Sequence, residues 1–135
     1  MTYQEKVKFL KRYKQIDKEI TQLLREKSEI FSLGTKITPT YSDMPKGTKE
    51  SDKVQSTVEK LEALEKKIDS KIDDWREAKL DIEKAIHTVE SDKFRLLIRY
   101  RYINGWTFEK IAVQMHYGYR WVRRLHRKAV NLISI

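Results

Sequence analysis

Apolar residues recur every seven positions through the first part of the chain. Phe9, Ile16, Leu23 and Ile30 form the repeat, with Tyr13 and Ile20 at the intermediate position until Lys27 breaks it. A sevenfold repeat lays these side chains along one stripe of a helix. The spacing predicts one long helix from about Thr2 to Leu33, with Gly34 as its C-cap and Pro39 preventing continuation. From Gly34 to Ser51 the chain holds Gly34, Pro39, Pro45 and Gly47 among many hydroxyl residues, a composition that predicts a linker over 34–51. The repeat resumes at Asp52. Val54, Leu61, Ile68, Trp75, Ile82 and Val89 are all apolar, and Val58, Leu64, Ile72, Ala78 and Ala85 widen them into a coiled-coil seam. Such a pair of helices folds back as an antiparallel hairpin or pairs with another subunit, and periodicity alone leaves both open.

The period changes after residue 90. Ser91-Asp92 offers an N-cap and an acidic first turn for a helix reaching about Ile103, although a helix continuous through this point also fits. Asn104-Gly105 is a stop, and Thr107 can cap a short helix from Phe108 to Met115 whose inward stripe is Phe108, Ile111, Ala112 and Met115. His116-Tyr117-Gly118 makes a turn, and a last helix runs from Tyr119 to about Leu132. That helix is sharply two-faced. Arg120, Arg123, Arg124 and Arg127 share one stripe, while Val122, Leu125, Ala129 and Leu132 share the opposite one. The expected fold is all-α: a long helical, coiled-coil hairpin over residues 1–90, followed by a three-helix, helix-turn-helix module over 91–135.

Length and charge fit this division. The 135 residues suffice for one domain, or for a small domain on an extended element, and the mix of 36% charged and 39% hydrophobic residues suits long solvated helices. The net charge is +9, and residues 91–135 hold ten Lys/Arg against two Asp/Glu, whereas residues 1–90 hold nineteen against eighteen. A local basic excess interleaved with aromatics is what phosphate-backbone binding requires. The chain has no cysteine, which excludes disulfides and thiolate metal sites. No apolar run reaches membrane-spanning length, and Met1 to Lys8 lacks a signal-peptide core, so a cytoplasmic protein without membrane contact is expected.

Little points to catalysis. His87, His116 and His126 show no metal-ligand spacing with carboxylates, no Gly-rich phosphate loop or nucleophile elbow is present, and Asp73-Asp74 sits on a charged helix face. A non-enzyme without cofactor or metal is expected. The aromatics Phe94, Tyr100, Tyr102, Trp106, Phe108, Tyr117 and Trp121 are read as core filling for a small module, and Trp75 as seam packing.

A short helix, a tight turn and a second, basic helix is the helix-turn-helix pattern. Ala112 stands where the two helices approach closest, and Ile111, Met115, Tyr117, Val122 and Leu125 take the positions that build its core. The motif favours Gly where this chain has His116, and Ser, Thr or Asn where it has Gly118; His tolerates unusual backbone angles, and Gly is an acceptable N-cap. With the last helix in the major groove, Arg120, Arg123 and Arg124 reach base edges, most naturally guanine O6 and N7. Arg127 and Lys128 lie nearer phosphate, and Thr107, Lys110 and Tyr119 are candidate backbone contacts.

The run Leu96-Leu97-Ile98-Arg99-Tyr100-Arg101-Tyr102-Ile103-Asn104-Gly105-Trp106-Thr107-Phe108-Glu109-Lys110-Ile111-Ala112 resembles region 4 of bacterial sigma-70-type sigma factors, and Val122-Arg123-Arg124-Leu125-His126-Arg127-Lys128-Ala129 continues the likeness. With the helical N-terminal part, Thr38-Pro39-Thr40 and Ser42-Asp43-Met44-Pro45-Lys46-Gly47, the chain resembles phage-encoded late-transcription regulators of the RinA and ArpU type, from phages of Gram-positive bacteria. The resemblance implies binding to promoter DNA in the bacterial host cell, and contact with host RNA polymerase. No sigma region 2 is present, so a complete sigma factor is not implied.

The expected function is a sequence-specific regulator that binds double-stranded DNA, with a homodimer formed through the coiled coil placing two modules on half-sites roughly 34 Å apart. Two alternatives are a polymerase-binding adaptor without its own operator, and a small terminase subunit recognising packaging-site DNA.

Overall fold

A computed structural model describes residues 1–35 and 47–135, except for the side chains of 35 and 47–51. Most of the expected linker, residues 36–46, lies outside the described residues. The rest is all-α. Helix α1 runs over Tyr3–Thr35, α2 over Gly47–His87, α3 over Asp92–Ile98, α4 over Phe108–Met115 and α5 over Tyr119–Leu132, and a π-helical turn, Arg99–Ile103, extends α3. Two boundaries differ from expectation. Gly34 does not cap α1 but lies inside its last turn, where a Cβ would stand 2.7 Å from Thr57 Cγ2 of α2; the glycine serves a close approach. Helix α2 starts at Gly47 rather than Asp52, because Thr48 and Ser51 lower helix propensity by only tenths of a kcal/mol each.

The chain divides into two compact units, residues 18–73 and residues 1–17 with 74–135. Within 18–73, Glu19 meets Lys71 at 2.8 Å and Lys27 meets Glu65 at 3.1 Å, so α1 and α2 run antiparallel here. The seam closes inside one chain. Leu64 and Ile68 are buried and Ile20, Leu23, Ile30, Leu61 and Ile72 half-buried. Val54 and Val58, expected in the seam, are exposed; the α2 residue that faces Gly34 of α1 is Thr57.

In the other unit the first turns of α1 and the last turns of α2 pack on the C-terminal module. Leu10, Ile82, Ile86, Leu97, Ile98, Ile111, Val122, Ala129 and Val130 form one continuous core. Leu10 is wholly buried although it lies outside the seven-residue repeat; it belongs to the core that α1 and α2 share with the module. The Arg99 guanidinium grips Glu83 of α2 through two hydrogen bonds of 2.8 and 2.6 Å, which hold the carboxyl below its ordinary pKa. Trp75 stacks on Tyr13 with centroids 5.2 Å apart, and its indole N–H is buried with no acceptor among the described residues. Tyr13 is pushed above its usual pKa by burial, then by the charges of Asp17 and Glu83.

Candidate nucleic-acid interface

Each helix of the C-terminal module begins and ends for a local reason. Ser91 Oγ accepts from the Phe94 backbone N–H, and Thr107 Oγ1 accepts from that of Lys110 at 3.2 Å, capping α3 and α4. The π-helical turn hands over to the loop through Asn104 N–H to Arg99 O and Trp106 N–H to Tyr100 O, both 2.9 Å, and Gly105 takes φ +73°. Helix α4 ends at His116 in the left-handed conformation, φ 59° and ψ 41°, the position where a helix-turn-helix turn favours Gly. Gly118 stands at the N-cap of α5 and offers no side-chain bond.

The buried face of α5 is Val122, Leu125, His126, Ala129 and Val130, continued by Ile133. Leu132, expected on this face, is 53% exposed: the backbone turns extended at Ile133, whose side chain fills the place instead. Trp121, expected in the core, is 44% exposed, because the turn that buries Val122 carries its neighbour outward. Of the residues expected to build this core, Ile111 and Ala112 are buried, and Met115 and Tyr117 half-buried. Of the other aromatics, Tyr102 is buried and Phe94, Tyr100, Trp106 and Phe108 pack half-buried on the core.

The opposite face presents Arg120, Arg123, Arg124 and Arg127 to solvent, and all four line one open groove of about 510 Å³. Its other lining comes from Tyr3, Val7 and Lys11 of α1, from Arg101 and Tyr102 of the π-helical turn, and from Phe108 and His126. Six cations therefore surround it. None of the six is ion-paired within the described residues, and no carboxylate lines the groove. Like charges gathered without acidic partners raise the local potential and favour a polyanion.

The remaining candidates are distributed around this face. Lys128 is exposed but does not line the groove. Tyr119 is exposed, with the Arg123 guanidinium 5.7 Å from its ring centre. Thr107 is engaged as the α4 cap, and the Lys110 ammonium sits 4.4 Å over Trp106, itself stacked on Tyr100.

Sequence reasoning missed the α1 wall and two groups of the floor. The signal for α1 was local: Lys6, Lys8, Lys11, Arg12 and Lys14 against Glu5 and Asp17, an excess hidden in the balanced total for residues 1–90. Arg101 is fixed by donating to the Trp106 carbonyl at 3.0 Å and lying 4.1 Å over Phe108. His126 follows Leu125 and lies one helical turn from Val122, which marks it as inward-facing. It is 6% exposed, its Nε2 is 2.7 Å from Tyr102 Oη, and Phe108 meets it edge-on at 5.0 Å. Burial, then the charges of Arg101, Arg123 and Lys11, push its pKa down to about 4, so the imidazole is neutral beneath a row of guanidinium groups. Burial likewise drives the Tyr102 phenol well above its usual value.

Among the described residues no cluster of His, Asp or Glu could hold a metal ion, and no helix is long and apolar enough to cross a membrane. Comparison with protein-family models, curated proteins and solved structures returns no match for this chain.

Proposed function

We propose that this protein is a sequence-specific regulator of transcription that binds double-stranded DNA, encoded by a phage and acting on late genes in the host cytoplasm. The supporting observation is the unpaired stripe Arg120, Arg123, Arg124 and Arg127 on α5, which follows a Thr107-capped α4 and a left-handed turn at His116. With α5 in the major groove, Arg120, Arg123 and Arg124 read guanine edges, while Thr107, Lys110, Tyr119, Arg127 and Lys128 contact the sugar-phosphate backbone. The assignment is a binding protein, not an enzyme.

Selection of preferred duplexes from a random library, followed by binding of the Arg120→Ala, Arg123→Ala and Arg124→Ala variants, tests this reading. A bidentate contact to guanine is worth about 1–3 kcal/mol, so each base-reading arginine should cost roughly five- to 150-fold on the preferred site and relax its specificity. Unchanged affinity in the triple variant refutes base reading by these residues.

The homodimer belongs to this proposal with an altered surface. Most of the seam is buried or half-buried within the chain, so a second copy would meet the exposed Leu24, Val54 and Val58 of residues 18–73. Contact with host RNA polymerase is a second reading, which rests on the resemblance of the run Leu96 to Ala112 to sigma region 4. If that contact is the whole function, purified polymerase is retained by the protein without DNA, and no duplex is selected from the library.

A further inference from the structure

Lys11 and Arg101 belong to neither helix of the helix-turn-helix, yet both line the groove shared by Arg120, Arg123 and Arg127. Helix α1 lies along one border of α5: the Arg127 guanidinium is 5.2 Å from the centre of the Tyr3 ring, and Lys6 Nζ donates to the Asn131 carbonyl at 3.1 Å. A helix with its side chains is about 10–12 Å across and the major groove about 12 Å wide, so a seated helix is bordered on each side by a phosphodiester strand. One of those strands must pass on the α1 side.

We propose that the groove between α1 and α5 seats the phosphodiester backbone of one strand of the duplex, with Lys11 and Arg101 as phosphate contacts supplied from outside the helix-turn-helix. The inference rests on the duplex-binding reading above and adds α1 to the interface. Three features argue for a strand rather than a single small anion. The groove holds about 510 Å³, it still offers Lys11, Arg101 and Arg127 to phosphates when the base-reading arginines are set aside, and its apolar lining by Tyr3, Val7 and Phe108 suits the sugar faces between phosphates. The Arg101 guanidinium is already immobilised by the Trp106 carbonyl and the Phe108 ring, and its remaining N–H groups are available to an oxygen acceptor. A cation held in place before binding loses little side-chain freedom when the strand arrives.

The test is the affinity of the full chain for a labelled random-sequence duplex of about 30 base pairs, measured between about 50 and 200 mM salt. Lys11 is exposed on a helix surface, so Lys11→Gln leaves the fold intact, as far-UV circular dichroism will verify. The variant should flatten the slope of log affinity against log salt by about 0.9 and weaken binding roughly five- to tenfold at 0.1 M salt for every duplex sequence. Lys11→Arg should restore both. Lys84→Gln, the same charge change at an exposed position of the same unit away from the groove, should leave the slope at its wild-type value. A Lys11→Gln slope equal to wild type, or a Lys84→Gln effect as large as that of Lys11→Gln, overturns the proposal while duplex binding stands. Failure of the unsubstituted protein to bind any duplex removes the underlying reading as well, an outcome visible before any variant is made.

Discussion

Acidification should destabilise this fold through one residue, His126. Its folded pKa is depressed to about 4, against an ordinary value of 6.5 that the unfolded chain regains. Because folding favours the neutral ring, the unfolded chain binds the proton first as pH falls. Stability is therefore full above about pH 6.5, declines as pH drops, and the loss is complete near the folded value. At about 1.36 kcal/mol per unit of pKa difference the whole effect is about 3 kcal/mol, of which roughly 1.3 kcal/mol has gone by about pH 5.5. His126 is almost wholly buried, so solvent screening takes little from this figure. Urea unfolding at about pH 7.5, 6.5 and 5.5 reads the loss as a falling midpoint at constant m-value. The Glu83 carboxyl, held low by Arg99, contributes stability that is present above its unfolded pKa and lost only at more acidic pH, so it does not confuse this window. The control is Tyr102→Phe/His126→Leu, which removes the titrating ring and the hydroxyl it would otherwise leave unpartnered. The acid slope should vanish in that variant. A wild-type protein equally stable at pH 7.5 and 5.5, or a double variant that keeps the slope, refutes the reasoning.

Three further outcomes follow from local geometry. His116→Gly should stabilise the protein by about 1 kcal/mol in urea unfolding, since the residue occupies the left-handed region at φ 59° that costs a side chain about that much. Gly118→Ser should raise the thermal midpoint by a stability gain of about 0.5–1 kcal/mol, because a Cβ meets nothing within 4 Å, the backbone is already at N-cap angles, and α5 has no side-chain cap. Trp75→Phe should cost less than about 1.5 kcal/mol by the same measurement: it keeps the ring beside Tyr13 and removes an indole N–H that has no acceptor among the described residues, a loss smaller than truncating a satisfied donor would bring.

Local chemistry was the legible part of the fold. Ser91 and Thr107 cap because their oxygens reach backbone N–H groups three residues on, and His116 turns left-handed because a helix of this kind must end so; both follow from residues adjacent in sequence. The arginine stripe was equally readable from period alone. What failed depended on distant partners. Gly34 looked like a cap until Thr57 stood beside it, and Val58 looked like seam although its neighbour Thr57 is the residue that meets α1 there. Leu132 and Ile133 exchange roles because the helix stops between them. The groove was half legible for the same reason. Its α5 wall lies in one periodic segment, whereas Tyr3, Val7 and Lys11 join it across more than a hundred residues of chain that only the folded core brings back.

The division of charge bears on how the molecule finds its partner. Residues 18–73 carry eleven Lys/Arg and eleven Asp/Glu, so the whole excess of nine positive charges belongs to the unit that holds the arginine groove. Beyond a Debye length, about 10 Å at 0.1 M salt, the balanced unit exerts almost no net force on a polyanion. Long-range attraction to a polyanion therefore acts mainly on the groove-bearing unit, and on the duplex-binding proposal diffusional encounter would begin there. A protein docking on residues 18–73 would gain no net-charge steering from that unit itself.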